Sequence, residues 1–143
     1  MNVRVKFKPL LLATALPLML AGCQPTTITP SEPETYEMAM ENIEKACPTC
    51  EMILGDMLKA MNQQCDFPLT QNSVRLVGRS HPVYGFSLAA NTMLADNEST
   101  KQMFNKAVIN NVNCWNADDW ITSIKGAMAE NEHFQSLTTN TIK

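Results

Sequence analysis

Apolar side chains recur at alternating steps of four and three from Tyr36 through Met40, Ile43, Cys47, Cys50, Leu54, Met57 and Met61. That spacing marks one continuous face of helical structure. Glu37, Glu41, Glu44, Glu51 and Lys59 fall off the stripe, on the solvated side. Pro48 interrupts it, because proline lacks an amide hydrogen and disfavours helical geometry at the preceding Cys47. The pattern predicts one helix ending near Ala46 and a second beginning with Pro48 at its first position. A kinked continuous helix is the alternative.

Further along, Thr70 is placed to cap a short helical turn through Val74 and Val77. From Val83 to Leu94, the residues Phe86, Ala89, Ala90, Met93 and Leu94 share roughly one helical face. Asp96, Asn97 and Glu98 supply cap and first-turn chemistry for a helix through Met103, Phe104, Ala107, Val108 and Val112. Asn116, followed by Asp118 and Asp119, does the same for a last helix through Trp120, Ile121, Ile124, Ala127 and Met128. Alternation of period two is scarce, and Ser73 to Val77 is the best strand candidate. The expected fold is all-α, a small bundle of four or five helices spanning residues 36–143.

The first 35 residues obey different rules. Arg4, Lys6 and Lys8 precede an apolar run from Pro9 to Leu20, the layout of a secretory signal and shorter than the ~20 residues of a membrane-spanning helix. The run ends in Leu20-Ala21-Gly22-Cys23, which resembles the lipobox of bacterial lipoproteins. The resemblance implies that residues 1–22 are a signal peptide and that Cys23 carries the lipid at the mature N-terminus. Gln24 in place of Asp implies, by the sorting rule of that family, the outer membrane. Several acyl chains on one residue anchor firmly, each buried methylene contributing ~0.8 kcal/mol. Residues 24–35 hold three prolines, four threonines and Ile28 as their one large apolar side chain. With Cys23 they form a tether able to reach ~35–40 Å in extended form. The expected organisation is therefore a signal peptide at 1–22, an acylated Cys and Pro/Thr-rich tether at 23–35, and the helical domain at 36–143.

Charge sharpens this picture. All fourteen acidic residues and eight of the eleven Lys and Arg lie beyond residue 22, a net charge of −6 for that portion. Such a chain has no electrostatic footprint for nucleic acid.

Four cysteines follow Cys23, and an exported chain meets an oxidising environment in which an even count forms disulfides. A bridge from Cys65 to Cys114 would tie the first half of the domain to its end, worth ~4 kcal/mol in the chain-entropy model, and would leave Cys47 with Cys50. Crossed pairings stay open, since Cys47 and Cys50 both lie on the inward stripe. Cys47-Pro48-Thr49-Cys50 also resembles the active-site motif of thioredoxin-like oxidoreductases, in which a thiolate at a helix N-terminus is a redox nucleophile. Here the motif follows a Glu-rich helical stretch and no βαβ pattern surrounds it. Met38, Met40, Met52, Met57 and Met61 cluster around the pair, and thioether with thiolate suits Cu(I). Methionines at helical spacing also serve as flexible core filler.

Other chemistry is sparse. His81 and His133 have no partner at zinc-ligand spacing; His81-Pro82 reads as a loop, and His133 as a charge–dipole contact near a helix C-terminus. There is no Gly-x-Ser-x-Gly, no Gly-rich phosphate loop and no His-Glu-x-x-His. Asp118 and Asp119 read as cap residues, and Trp115 and Trp120 are expected to pack near that cap. No catalytic residue, metal or cofactor is expected, and binding of a protein partner is the default.

The layout of Leu54, Leu58, Cys65, Pro68, Asp96, Thr100 and Cys114 resembles the pilotins of type II secretion, small outer-membrane lipoproteins with a disulfide-stapled helical bundle. The resemblance implies that Cys65 and Cys114 form the staple. It also implies that the bundle grips a C-terminal segment of a secretin by helix-in-groove recognition. The chain differs from that pattern in carrying the Cys47–Cys50 pair and a shorter middle region. Cys65-Asp66-Phe67-Pro68 with His81-Pro82 is also similar to small periplasmic all-α immunity proteins, which implies an acidic surface set against a basic toxin. The expectation is an outer-membrane lipoprotein, facing the periplasm, that serves an envelope complex such as a secretion system as an assembly, targeting or accessory factor. A toxin inhibitor is the first alternative, and a redox or copper-binding lipoprotein acting through Cys47 and Cys50 the second.

Overall fold

Each helix starts where a side chain can accept the hydrogen bond that a free backbone amide offers. The computed structural model describes residues 34–140, and the expectations for the signal peptide, Cys23 and the tether up to residue 33 lie outside them. Helix α1 (Tyr36–Ala46) is capped by Thr35, whose hydroxyl accepts from the Met38 amide at 3.2 Å. It stops at Cys47, which Pro48 forces into extended geometry. Helix α2 (Pro48–Cys65) therefore begins with proline at its first position, as the sequence predicts, and Cys47 Sγ caps it by accepting from the Cys50 amide at 3.2 Å.

Helix α2 ends on Asp66, the one non-glycine residue with positive φ among the described residues (54°). Short polar side chains tolerate that left-handed geometry. The Phe67 amide turns back onto the Met61 carbonyl at 3.3 Å, and the Asn62 amide donates to the Phe67 carbonyl at 2.8 Å. The chain is thereby aimed into helix α3 (Gln71–Ser80), capped by Thr70. Helix α4 (Pro82–Met93) is capped by His81 Nδ1, which accepts from the Val83 amide at 3.2 Å. Asn97 caps helix α5 (Glu98–Asn110) and Asn116 caps helix α6 (Ala117–Ala127). Asn131 caps helix α7 (Glu132–Asn140) by accepting from the Phe134 amide at 3.0 Å.

The fold is all-α, with seven helices among the described residues where four or five were expected. Two differences account for the count. The helical turn expected from Thr70 through Val74 and Val77 is a full helix, α3, and Ser73 to Val77, the strand candidate, lies inside it: Thr70 caps it, and Val74 and Val77, three residues apart, bury one face. The segment after Met128 forms α7, so α6 is not the last helix, and His133 sits in the first turn of α7 instead of near a C-terminus.

Helix α2 lies at the centre, packed against α1, α3, α4 and α5, while α4 packs against α2, α3, α5 and α6. Leu54 and Leu58 of α2, Val83 and Ala90 of α4, Phe104 of α5, and Trp120 and Ile124 of α6 are fully buried. Phe104 is the middle of an aromatic row, its ring centroid 5.6 Å from Phe86 and 5.5 Å from Phe134 of α7. The buried Trp120 satisfies its indole by donating Nε1–H to the Val108 carbonyl at 2.9 Å. Asn91 and Asn105 exchange amide hydrogen bonds of 2.8 and 3.1 Å between α4 and α5. Gly55 of α2 brings α1 close, since a Cβ there would stand 3.3 Å from the Met40 terminal methyl.

The structure joins Cys47 to Cys50 and Cys65 to Cys114, and the crossed pairings do not occur. The first bridge closes the corner between α1 and α2. The second ties the end of α2 to the loop between α5 and α6. Trp115, expected to pack at the cap of α6, is 95 % exposed: Asn113 Oδ1 accepts from the amides of both Trp115 and Asn116, shaping a turn that holds the indole outward.

Candidate functional site

Two open grooves of opposite character flank α1, each of about 460 Å³. The first lies against α3 and α4. Ala39 and Ile43 of α1, Val74 and Gly78 of α3, and Tyr84 of α4 supply its apolar lining, and Arg75 and Arg79 stand along α3 at its rim. Gly78 also faces α2; a Cβ there would sit at 3.4 Å from Leu54 Cδ2. Arg75 and Arg79 are one helical turn apart, so both guanidinium groups rise on the same side. Leu76, between them, is 60 % exposed.

Glu34 also lines this groove. Its carboxylate accepts from the Asn42 side-chain amide at 2.9 Å and lies 3.7 Å from the Arg75 guanidinium. Arg79 has no carboxylate partner among the described residues. Burial pushes the Tyr84 phenol above its ordinary range, so at neutral pH it is a protonated hydroxyl.

The second groove lies between α1 and α2. Glu37, Glu41, Glu44, Glu51 and Asp56 line it with Tyr36, Met40, Met52, Gly55 and Lys59. Five carboxylates against one ammonium make it strongly negative, consistent with the polar side of the predicted stripe. The Tyr36 phenol feels this: burial first, then the charges of Glu51 and Glu37, raise its pKa.

The cysteine motif sits at the corner where α1 meets α2. Cys47 and Cys50 are half-buried and bonded to each other, so in this state neither sulfur is a thiolate ligand. Of the nearby methionines, Met40, Met57 and Met61 are buried in the core, whereas Met38 and Met52 are exposed. Among the described residues no three His, Cys, Asp or Glu converge as a metal set, and no helix is long and apolar enough to cross a membrane. His81, read from sequence as loop, is a helix cap whose ring packs edge-on to Trp120 at 5.6 Å; burial lowers its pKa.

A small, partly open cleft of about 10 Å³ lies between α2, α4 and α5, lined by Asp56, Ser87 and Asn105 among others. The Ser87 hydroxyl is fully buried there without a protein partner.

Sequence reasoning did not single out Arg75, Arg79 or Tyr84. A signal was present: beyond residue 22 the chain has two arginines, and they stand four residues apart. The helical turn expected from Thr70 reached only to Val77, so Arg79, beyond it, was not read as sharing a face with Arg75.

No known protein family, curated protein or solved structure matches the chain.

Proposed function

We propose that the protein is a lipid-anchored accessory factor of the bacterial outer membrane, facing the periplasm. In this reading it binds a protein partner and performs no catalysis. The observation that carries the binding part is the groove between α1, α3 and α4, an apolar trough with a charged rim on a disulfide-stapled scaffold. A trough of this kind suits helix-in-groove recognition, in which apolar anchors seat along the floor and polar groups set orientation. The anchoring part rests on Leu20-Ala21-Gly22-Cys23 and the Pro/Thr-rich stretch after it. Tethered in this way, the domain delivers or retains its partner at the membrane, as the likeness to pilotins implies for a secretin or a comparable envelope subunit.

A toxin inhibitor is the second reading, and the five-carboxylate groove between α1 and α2 favours it. A basic enzyme face docked there would dissociate steeply with added salt, whereas an apolar seat would not. The third reading, thiol–disulfide exchange at Cys47–Cys50, requires that pair to be reduced by a mild thiol buffer while Cys65–Cys114 survives.

The deciding experiment is capture of the tagged, acylated protein from its native envelope in mild detergent, with Cys23→Ser alongside and mass spectrometry of what co-purifies. A large envelope assembly recovered with the wild type, and mislocalised in the Cys23→Ser strain, is the expected result. Recovery of no such assembly discards the accessory-factor reading.

A further inference from the structure

We propose that the groove between α1, α3 and α4 receives an acidic amphipathic helix of the partner, with Arg75 and Arg79 pairing with its carboxylates and Ala39, Ile43, Val74 and Tyr84 seating its apolar side chains. This rests on the protein-binding reading above and gives that partner a chemistry.

Charge is the first argument. The portion beyond residue 22 is acidic, yet both of its arginines stand one turn apart on the rim of a single apolar trough. Guanidinium groups suit this work, because their planar fork matches a carboxylate and they remain charged at any physiological pH.

Glu34 provides the second argument. Its carboxylate already lies in the groove, steadied by Asn42 and facing the Arg75 guanidinium at 3.7 Å. The chain therefore shows on itself the kind of group the rim accepts. That contact is long for a direct charge pair, and the Gln71 side-chain oxygen accepts from the same guanidinium at 2.6–3.0 Å, so an incoming carboxylate competes with Glu34 and Gln71 for Arg75, while Arg79 has no carboxylate partner among the described residues. Glu34 acts as a built-in competitor for the incoming carboxylate.

The third argument separates a peptide from a membrane surface. On the other side of α1 lie Glu37, Glu41, Glu44, Glu51 and Asp56. The portion beyond residue 22 carries a net charge of −6, so a broad anionic bilayer works against the charge of the domain as a whole. A single helix fits into the one trough and avoids the other.

The test uses the full chain in detergent and two fluorescent probe peptides of about four turns. They share one apolar stripe and differ only in flanking Glu or flanking Lys. The acidic probe is expected to bind at least about tenfold tighter than the basic one, with backbone-amide NMR shifts at Ala39, Ile43, Val74 and Tyr84. The double variant Arg75→Glu with Arg79→Glu, both at exposed positions and checked for unchanged helicity, is expected to reverse that preference. Glu34→Gln is expected to tighten the acidic probe a few-fold. Equal binding of the two probes, or an acidic preference that survives the double charge reversal, overturns the proposal. Arginine-dependent binding of anionic lipid vesicles without a preference between the peptides overturns it in favour of a lipid surface. If the envelope assembly is still captured by the double charge-reversal variant, the groove assignment fails while the accessory-factor reading stands.

Discussion

The two ends of this bundle are built on different principles. Around α4 to α7, large rigid rings fill the interior: Phe86, Phe104, Trp120 and Phe134 are nearly or fully buried, and Cys65–Cys114 ties across 49 positions of sequence. Around α1, contact is made by smaller or more pliable groups, Ala39, Met40 and a close approach over Gly55. The disulfide at that end spans only three positions. Both grooves flank the pliable helix. A rigid aromatic end can hold the fold while the α1 end retains open surface, the division of labour that binding proteins commonly show between scaffold and site.

The largest test of that contrast is Phe104→Ala, which removes the centre of the aromatic row and is expected to cost ~3–5 kcal/mol in chemical denaturation. Met40→Ala, at the α1–α2 approach, should cost less, because its cavity opens toward a groove and can relax. Equal losses would erase the distinction between the two ends.

Next come the disulfides. In the chain-entropy model a loop of about 50 residues is worth ~4 kcal/mol and one of four residues ~2 kcal/mol. Replacing Cys65 and Cys114 together by Ser should lower the urea midpoint by roughly twice as much as replacing Cys47 and Cys50. A larger loss from the small loop would show that the α1–α2 corner bears more of the fold than its packing implies.

Smaller still is the effect of His81, which joins the two ends by capping α4 while its ring packs on Trp120. Burial lowers its pKa, so the folded protein favours the neutral ring; its Nδ1 must also be unprotonated to accept from Val83. The unfolded chain takes up that proton near the ordinary value of ~6.5. The contribution is therefore complete above that pH and is lost as pH falls from there toward the lower folded value. Stability measured across this window should decline in the wild type. It should decline less in His81→Asn, which keeps a cap acceptor without the titration; identical profiles would exclude His81 as the source.

The smallest expected change is from the double charge reversal at Arg75 and Arg79. Both side chains are solvent-facing at the rim, so stability should shift within about 0.5 kcal/mol while binding specificity changes. A large loss of stability would mean that α3 depends on those charges for folding.

What could be read in advance follows the range of the force involved. Pro48 breaks the stripe through local sterics, and Asn97 and Asn116 cap through contacts two or three residues away, so these boundaries were legible. The two disulfide partners were among the pairings that spacing left open. Ser73 to Val77 was open both to a short strand and to the helical turn capped by Thr70; the Thr70 cap and the buried face of Val74 and Val77 decide for the helix, which runs on to Ser80. Helix α7 was missed although Asn131 and Glu132 carry the same start chemistry as Asn116 and Asp118. Trp115 was expected to pack near the cap of α6, but the Asn113 turn beside Cys114 holds it outside. The grooves themselves depend on how closely α1, α3 and α4 approach, which no local pattern contains.

The paired amides of Asn91 and Asn105 have a consequence for how α4 and α5 can be arranged. Two leucines in their place would pack at many offsets with similar energy. Two amides that satisfy each other tolerate one offset, since sliding by a turn would strand donors and acceptors away from water. The pair therefore works as a key in a keyway: it selects a single alignment of the two helices.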